Sequence, residues 1–457
     1  MGKVQKKIQL ELAFMKECPG ESQDTPAKGA ELPAANHTPE RPATEHLMEE
    51  VVTRENVTKA YQRVKSNKGS PGVDGMTVSE LAGHLKEHWA EMEDRLFTGT
   101  YEPQPVKRVA IPKPDGGTRT LGIPTVVDRF IQQALMQILQ KRWDKEFSPH
   151  SYGFRPGRSA HQAVKRAKDY IKEGYTHVVD MDIEKFFDRV NHDILMGQIA
   201  KRVKDTRILK LIRAYLTSGV MEGGLVSPTS EGTPQGGPLS PLLSNLVLHK
   251  LDVELTRRNH RFVRYADDCN IYVKSERAGH RVMENIATFL SCKLKLRINK
   301  TKSAVARPWE RTFLGFSFTR GTEKKIRIAE KTVLRFKRRI RQLTRRIRGI
   351  SIEQMVAQLV LYLNGWKGYF GFCETPSVLH RLDSWIRRRL RSFLWKQWKR
   401  GRRRFVELSK RGIRADLAAQ TAGSTHGPWR ISSSPALHMA LPNSYFISLG
   451  LPLLEGR

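Results

Sequence analysis

Apolar side chains recur at helical spacing from about Leu47 onward. Val51, Val57, Tyr61 and Val64 share one face, which predicts an amphipathic helix. The pattern stops at Ser66-Asn67-Lys68-Gly69-Ser70-Pro71-Gly72-Val73-Asp74-Gly75, where three glycines and a proline specify a loop. Between about 100 and 320, short apolar runs predict strands at 107–111, 177–182, 262–265 and 270–274. Helical patterns such as 130–139 and 238–255 lie between them. Beyond about 330 the pattern becomes helical throughout. Leu334, Phe336, Ile340, Leu343 and Ile347 form one face, with arginines on the other. Ser351 with Gln354 is a capping-box signal, and Thr375-Pro376 reads as an N-cap followed by proline in the first turn. The helix after it carries Leu379, Leu382, Trp385, Ile386, Phe393 and Leu394, so three helices can share one core beneath a cationic surface. Residues 1–45 hold Pro26, Pro33, Pro39 and Pro42 and little periodicity, which predicts a flexible tail.

Charge changes the picture. Lys plus Arg is 80 against 46 for Asp plus Glu, a net charge of +34, and 331–350 contains no acidic residue. A surface this basic repels itself and calls for a polyanion, nucleic acid first of all. No apolar run is long enough to span a bilayer, and the N-terminus lacks a signal-peptide h-region. Cys18, Cys269, Cys292 and Cys373 form no C-x-x-C pair, which excludes a zinc ribbon and fits a reducing compartment.

Against that background, clustered acids stand out. Tyr265-Ala266-Asp267-Asp268 lies between two strand patterns, so adjacent carboxylates sit at a bend. They repel one another unless a cation intervenes, although an ordinary Asp-Asp turn would give the same pattern. Val178-Val179-Asp180-Met181-Asp182-Ile183-Glu184-Lys185-Phe186-Phe187-Asp188 begins as a buried strand, and period two puts Asp180 and Asp182 on one face. Carboxylates on two neighbouring strands suit magnesium, which takes hard oxygen ligands and completes its shell with substrate phosphates. Two further elements suit phosphate or sugar. Gly232-Thr233-Pro234-Gln235-Gly236-Gly237-Pro238 lets backbone approach a ligand before a helix start. A hairpin with Asp115-Gly116 at its turn carries Lys113 and Arg119 on its two arms, where they could grip a triphosphate.

In this order and spacing the four elements resemble those of reverse transcriptases, and above all the proteins encoded by group II introns. Phe147-Ser148-Pro149-His150-Ser151-Tyr152-Gly153-Phe154-Arg155-Pro156-Gly157-Arg158-Ser159 resembles an insertion typical of that family, and Arg311-Thr312-Phe313-Leu314-Gly315-Phe316 a segment closing the palm. The resemblance covers about residues 48–450. It implies an α+β fold: a right-hand polymerase fold with fingers and palm at 47–325, then an all-helical thumb and maturase segment, domain X, at 326–411. A tail at 1–46 and a short basic extension at 412–457 flank these. It also implies RNA-directed DNA synthesis with two Mg²⁺ ions, Asp182, Asp267 and Asp268 being catalytic and, with Ile183, metal-binding. Asp182 is preferred to Asp180 because it directly precedes the Ile-x-x-Phe-Phe stretch. Phe187 would exclude a 2′-hydroxyl, with Phe186 the alternative, and Gln235 would contact the incoming nucleotide. Arg338, Arg339, Arg345, Arg346, Arg387 and Arg388 would bind RNA. The implied partners are a group II intron RNA, an RNA template with a DNA primer, target DNA and deoxynucleoside triphosphates, in the bacterial cytoplasm or nucleoid and without a membrane. The lack of cysteines after Cys373 leads to the expectation of the form without an H-N-H endonuclease. Two other readings are a splicing-only maturase on an inactive polymerase scaffold and a retron or diversity-generating enzyme. The intact triad argues against the first, and the segment after 325 against the second.

Overall fold

A computed structural model describes residues 45–112, 117–229, 231–233 and 236–455. Most of the expected N-terminal tail, Lys113, the Asp115-Gly116 turn and Gln235 lie outside the described residues. By packing, the chain divides into two compact units. The first holds 45–159 and 179–305, the second 160–178 and 306–455. The division thus falls about twenty residues before the expected boundary at 325, and the second unit also takes in a helix from the middle of the chain.

The first unit opens with helices. Val51, Val57, Tyr61 and Val64 are all buried, as their spacing predicts. Thr53 leaves helical geometry, however, at φ −49° and ψ 138°, so the chain forms Leu47–Val52 and Arg54–Asn67 rather than one helix. The helix predicted at 130–139 runs over Val126–Trp143, because the Thr125 side chain accepts from the Asp128 N–H and caps an earlier start. Among the described residues, eight strands lying wholly or mainly in this unit form two sheets: β1 (Val106–Pro112), β2 (Thr118–Ile123), β3 (His177–Met181), β4 (Val220–Glu222), β5 (Leu225–Ser227), β6 (Arg261–Tyr265), β7 (Asp268–Val273) and β8 (Ala304–Ala306). One sheet has the order β2-β1-β4-β5, the other β6-β7-β3-β8. In β1–β2, Ile111 stands opposite Arg119; in β6–β7, Val263 stands opposite Asn270 and Tyr265 opposite Asp268. The core beneath the second sheet draws on Val179, Met181, Phe262, Cys269 and Ile271, together with Leu242, Leu246 and Leu251 of the Ser240–Arg257 helix.

The second unit is mainly helical. Helices Glu330–Leu343, Ile352–Phe370 and Pro376–Gln397 share a core of Phe336, Ile340, Leu359, Leu363, Leu382 and Leu390. Ser351 and Gln354 form the expected reciprocal capping box. Three expectations fail. Leu334 is 60 % exposed and Ile347 85 % exposed, so neither joins the apolar face. The helix ends at Leu343; at its C-cap the Thr344 hydroxyl donates to the Ile340 carbonyl at 2.6 Å, and the Arg389 side chain donates to the Thr344 carbonyl. Thr375 makes no side-chain cap bond; only Pro376 plays its predicted part. Finally, the stretch after 412, expected as a short basic extension, belongs to the helical core. Leu437, Leu441, Phe446, Leu451 and Leu454 pack into the helical core, and buried Asp383 accepts from the Leu454 and Glu455 N–H groups. Among the described residues no helix is long and apolar enough to cross a membrane.

Candidate active site

The acidic cluster assembles where β3 ends beside the β6–β7 hairpin. Along 179–183 burial alternates: Val179, Met181 and Ile183 are in the core, and Asp180 and Asp182 face the other way, half-exposed. Asp182 lies one residue past β3, and a loop holds its main chain. The Asn299 N–H donates to the Asp182 carbonyl at 2.8 Å, and the Asp182 N–H donates to the Ser303 hydroxyl at 3.0 Å. The Asp182 carboxylate pairs with Lys302 at 3.5 Å.

Ala266 and Asp267 form the two-residue turn between β6 and β7, Ala266 with φ +57°. A non-glycine residue in that region stores strain and persists only where its surroundings hold it. They do so closely: a Cβ on Gly153 would lie 2.3 Å from the Ala266 nitrogen, so only glycine lets the 150–153 segment pass there. Arg264, fully buried on β6, donates to the Ala266 carbonyl at 2.9 Å and pairs with buried Asp252 at 2.6 Å.

Electrostatics tie the four carboxylates together. Burial pushes the Asp268 carboxyl up to about 7, helped by the negative charges of Asp267, Asp180 and Asp182. Asp267 is also raised, by burial and then by Asp182, while Arg119 and Arg264 act in the opposite sense. Arg119 of the β1–β2 hairpin therefore lies within electrostatic reach of the turn. Among the described residues no three His, Cys, Asp or Glu side chains are grouped closely enough to hold one ion as they stand. The donor chemistry nonetheless fits a hard divalent cation: carboxylate oxygens whose mutual repulsion burial sharpens.

Beside this cluster the Phe186–Asp188 turn orients two aromatic rings differently. Phe186 is in the core, whereas Phe187 is half-buried and lines a cleft of about 270 Å³ with Arg108, Gly122, Asp188 and Thr233. The Gly-rich loop is fastened to that turn, the Thr233 N–H donating to the Phe187 carbonyl at 2.6 Å and Gly232 to Val190 at 2.8 Å. Gly236, at φ +144°, leaves only 2.4 Å between a Cβ position and the Gly122 carbonyl of β2. The loop thus lies between the Phe187 turn and the hairpin arm bearing Arg119.

Comparison with known proteins agrees with this assembly. Residues 111–318 match the family described as "Reverse transcriptase (RNA-dependent DNA polymerase)", and residues 333–412 the "Group II intron, maturase-specific domain". Protein YkfC of Escherichia coli K12 is 33% identical over 301 residues, covering 57% of this chain and 79% of its own. The group II intron-encoded protein LtrA of Lactococcus lactis is 39% identical over 206 residues, 45% of this chain. The chain belongs to the group II intron-encoded reverse transcriptases. It is an RNA-directed DNA polymerase of α+β polymerase fold with a helical maturase domain. The match spans 34% of LtrA, about a third of that protein.

Within this reverse transcriptase, Asp182, Asp267 and Asp268 lie within electrostatic reach of one another in the first unit, Arg119 acts on Asp267, and Phe187 lines the cleft beside β2. The Ile183 side chain is in the core, away from these groups. In the maturase domain, Arg338, Arg339, Arg345 and Arg346 are exposed. Arg387 is 7 % exposed and does not present its charge to solvent. Arg388 stacks over Trp429 at 4.2 Å and donates to the Trp429 carbonyl, so it serves the domain's own packing. Burial corrects the assignment of Arg387 to the RNA surface, whereas Arg388 is half-buried beside the exposed Trp429. The sequence reading missed Lys337, Arg341 and Arg389, whose charged groups all lie 5.4–5.8 Å from the Trp385 ring centre. Burial and the like charges of Arg341 and Arg346 push Arg389 down to about 10.

Proposed function

We propose that Asp182, Asp267 and Asp268, with the main chain of Ile183, hold the two Mg²⁺ ions of DNA synthesis, and that the enzyme copies its own intron RNA. The observation that carries this reading is that Asp180 and Asp182, at the end of β3, lie within electrostatic reach of Asp267 and Asp268 at the β6–β7 turn, in a chain of net charge +34. When bound, the ions activate the primer 3′-oxygen and stabilise the leaving oxygen. The protein's own part is positional. Arg119 and Lys113 draw the triphosphate of the incoming deoxynucleotide, Gln235 contacts that nucleotide, and Phe187 closes the space a 2′-hydroxyl would need. Phe187 is preferred to Phe186 because Phe186 is committed to the core.

The exposed arginines Arg338, Arg339, Arg345 and Arg346 bind the phosphates of the intron RNA, and Lys337 and Arg341 beside Trp385 extend that face. Splicing assistance follows from holding the folded RNA, and mobility from then copying it at a target DNA. The experiment is a Mn²⁺ titration by electron paramagnetic resonance of the protein on an RNA template with a DNA primer. The reading requires two bound ions, with Asp182→Ala and Asp267→Ala each weakening binding. Unchanged Mn²⁺ binding in both variants would refute it.

A further inference from the structure

We propose that Arg264 is a positioning residue for DNA synthesis: a buried clamp that fixes the Ala266-Asp267 turn, and with it the Asp267 and Asp268 carboxylates. The inference rests on reading those two aspartates as catalytic. A guanidinium has five N–H donors in a rigid fork, and here all five are used. Nε donates to Asp252 Oδ1 at 2.7 Å and Nη2 to Asp252 Oδ2 at 2.6 Å. Nη2 also donates to Ser151 Oγ at 2.8 Å, and Nη1 to Asn245 Oδ1 at 3.0 Å and the Ala266 carbonyl at 2.9 Å. One side chain therefore joins the turn to the Ser240–Arg257 helix, through Asp252 and Asn245, and to the 150–153 segment, through Ser151. The main chain repeats the connection: Arg264 N–H donates to the His150 carbonyl and Tyr152 N–H to the Arg264 carbonyl, both at 2.9 Å. Asn245 closes the ring by donating to the Gly153 carbonyl at 2.9 Å.

Stability alone is a poor reason for this arrangement. A buried ion pair gains little over well-packed apolar residues of the same volume. What an apolar residue could not do is hold the carbonyl of a strained residue, Ala266, that directly precedes the two aspartates. A lysine could not do it either, having three donors on a flexible stem and no planar fork.

The test uses the full chain with four variants: Arg264→Lys, Asn245→Ala, Ser151→Ala and, separately, Asp267→Asn. Active-site titration on an RNA template gives the competent fraction, so that kcat is expressed per active molecule. Hydrogen exchange of the 264–269 peptide reads the turn without reference to activity. The clamp predicts faster exchange in that peptide and a kcat lower by roughly 10- to 100-fold for Arg264→Lys, as an ångström-scale misplacement produces. Asn245→Ala and Ser151→Ala lose one acceptor each, leave no charge unpaired, and should show smaller changes in the same direction. RNA affinity stays at the wild-type value. Should Arg264→Lys fail to fold, the two milder variants decide. Unchanged exchange and unchanged kcat per active molecule in the folded variants overturn the clamp, as does a loss confined to the competent fraction. An active Asp267→Asn would instead overturn the catalytic reading of the turn, so the two failures are distinguishable.

Discussion

Neutralising the outer arginines of the maturase domain should flatten the salt dependence of RNA binding, whereas neutralising the inner pair should not. The structure separates them: Arg338, Arg339, Arg345 and Arg346 are exposed, but Arg387 is buried and Arg388 lies against Trp429. Each arginine contact to phosphate releases counterions worth about 0.7–0.9 in the slope of log K against log salt. Replacing the four outer arginines with glutamine should therefore reduce the slope by about 3, and affinity near 0.1 M salt by roughly two to three orders of magnitude. Arg387→Met with Arg388→Met should change the slope by less than about 1. That pair should instead lower thermal stability, because the Arg388–Trp429 contact alone is worth about 1 kcal/mol. The assay is filter binding of the intron RNA from 0.1 to 1 M KCl (about the range over which the slope is linear), with calorimetry alongside. Equal slopes for wild type and the outer variant, or a larger change from the inner pair, would refute the placement of the RNA surface.

Phe187→Ala should raise ribonucleotide incorporation relative to deoxyribonucleotide, read as the ratio of kcat/KM values; an unchanged ratio would exclude Phe187 as the gate. Asp268→Asn should stabilise the metal-free protein at pH 8. A carboxyl whose folded pKa is raised costs stability as pH climbs from its unfolded value near 4 through about 7, and asparagine carries no such cost. Although neighbouring groups crowd its carboxyl, Asp268 as a residue remains exposed, so screening limits the gain to about 1–2 kcal/mol, or roughly 2–6 °C in Tm, and it should vanish at pH 4. Calorimetry in EDTA would contradict this by showing equal or lower Tm at pH 8. Gly153→Ala should push its methyl against the Ala266 nitrogen and lower kcat by as much as about 100-fold. Wild-type turnover would show that the turn does not depend on that close approach.

Legibility in the sequence followed periodicity and local chemistry. The strands flanking Asp267, the alternation that sets Asp180 and Asp182 apart from Val179 and Met181, and the Ser351–Gln354 box all depend on neighbours within a few residues. What escaped was long-range. The helix ends at Leu343, where Arg389, 45 residues away, bonds Thr344, and Ile347 is left outside the core. Arg388 looked like its exposed neighbours because its partners Trp429 and Ser432 lie in the stretch after 412, which read as a short basic extension. Arg264 carried a signal that went unread. A charged residue within the apolar run Phe262-Val263-Arg264 implies a buried partner, and Asp252 lies one helix end away in sequence. Lys302 gave no comparable sign, since it lies in an exposed basic loop and meets Asp182 only in three dimensions.

The central claim, that the carboxylates at the β6–β7 turn perform DNA synthesis, is tested most directly by single-turnover primer extension on an RNA template with Mg²⁺. Wild type and Asp267→Asn would be compared at matched RNA occupancy. The account predicts extension by the wild type and none above background by the variant, with equal RNA affinity. Extension by Asp267→Asn at a near wild-type rate would contradict it.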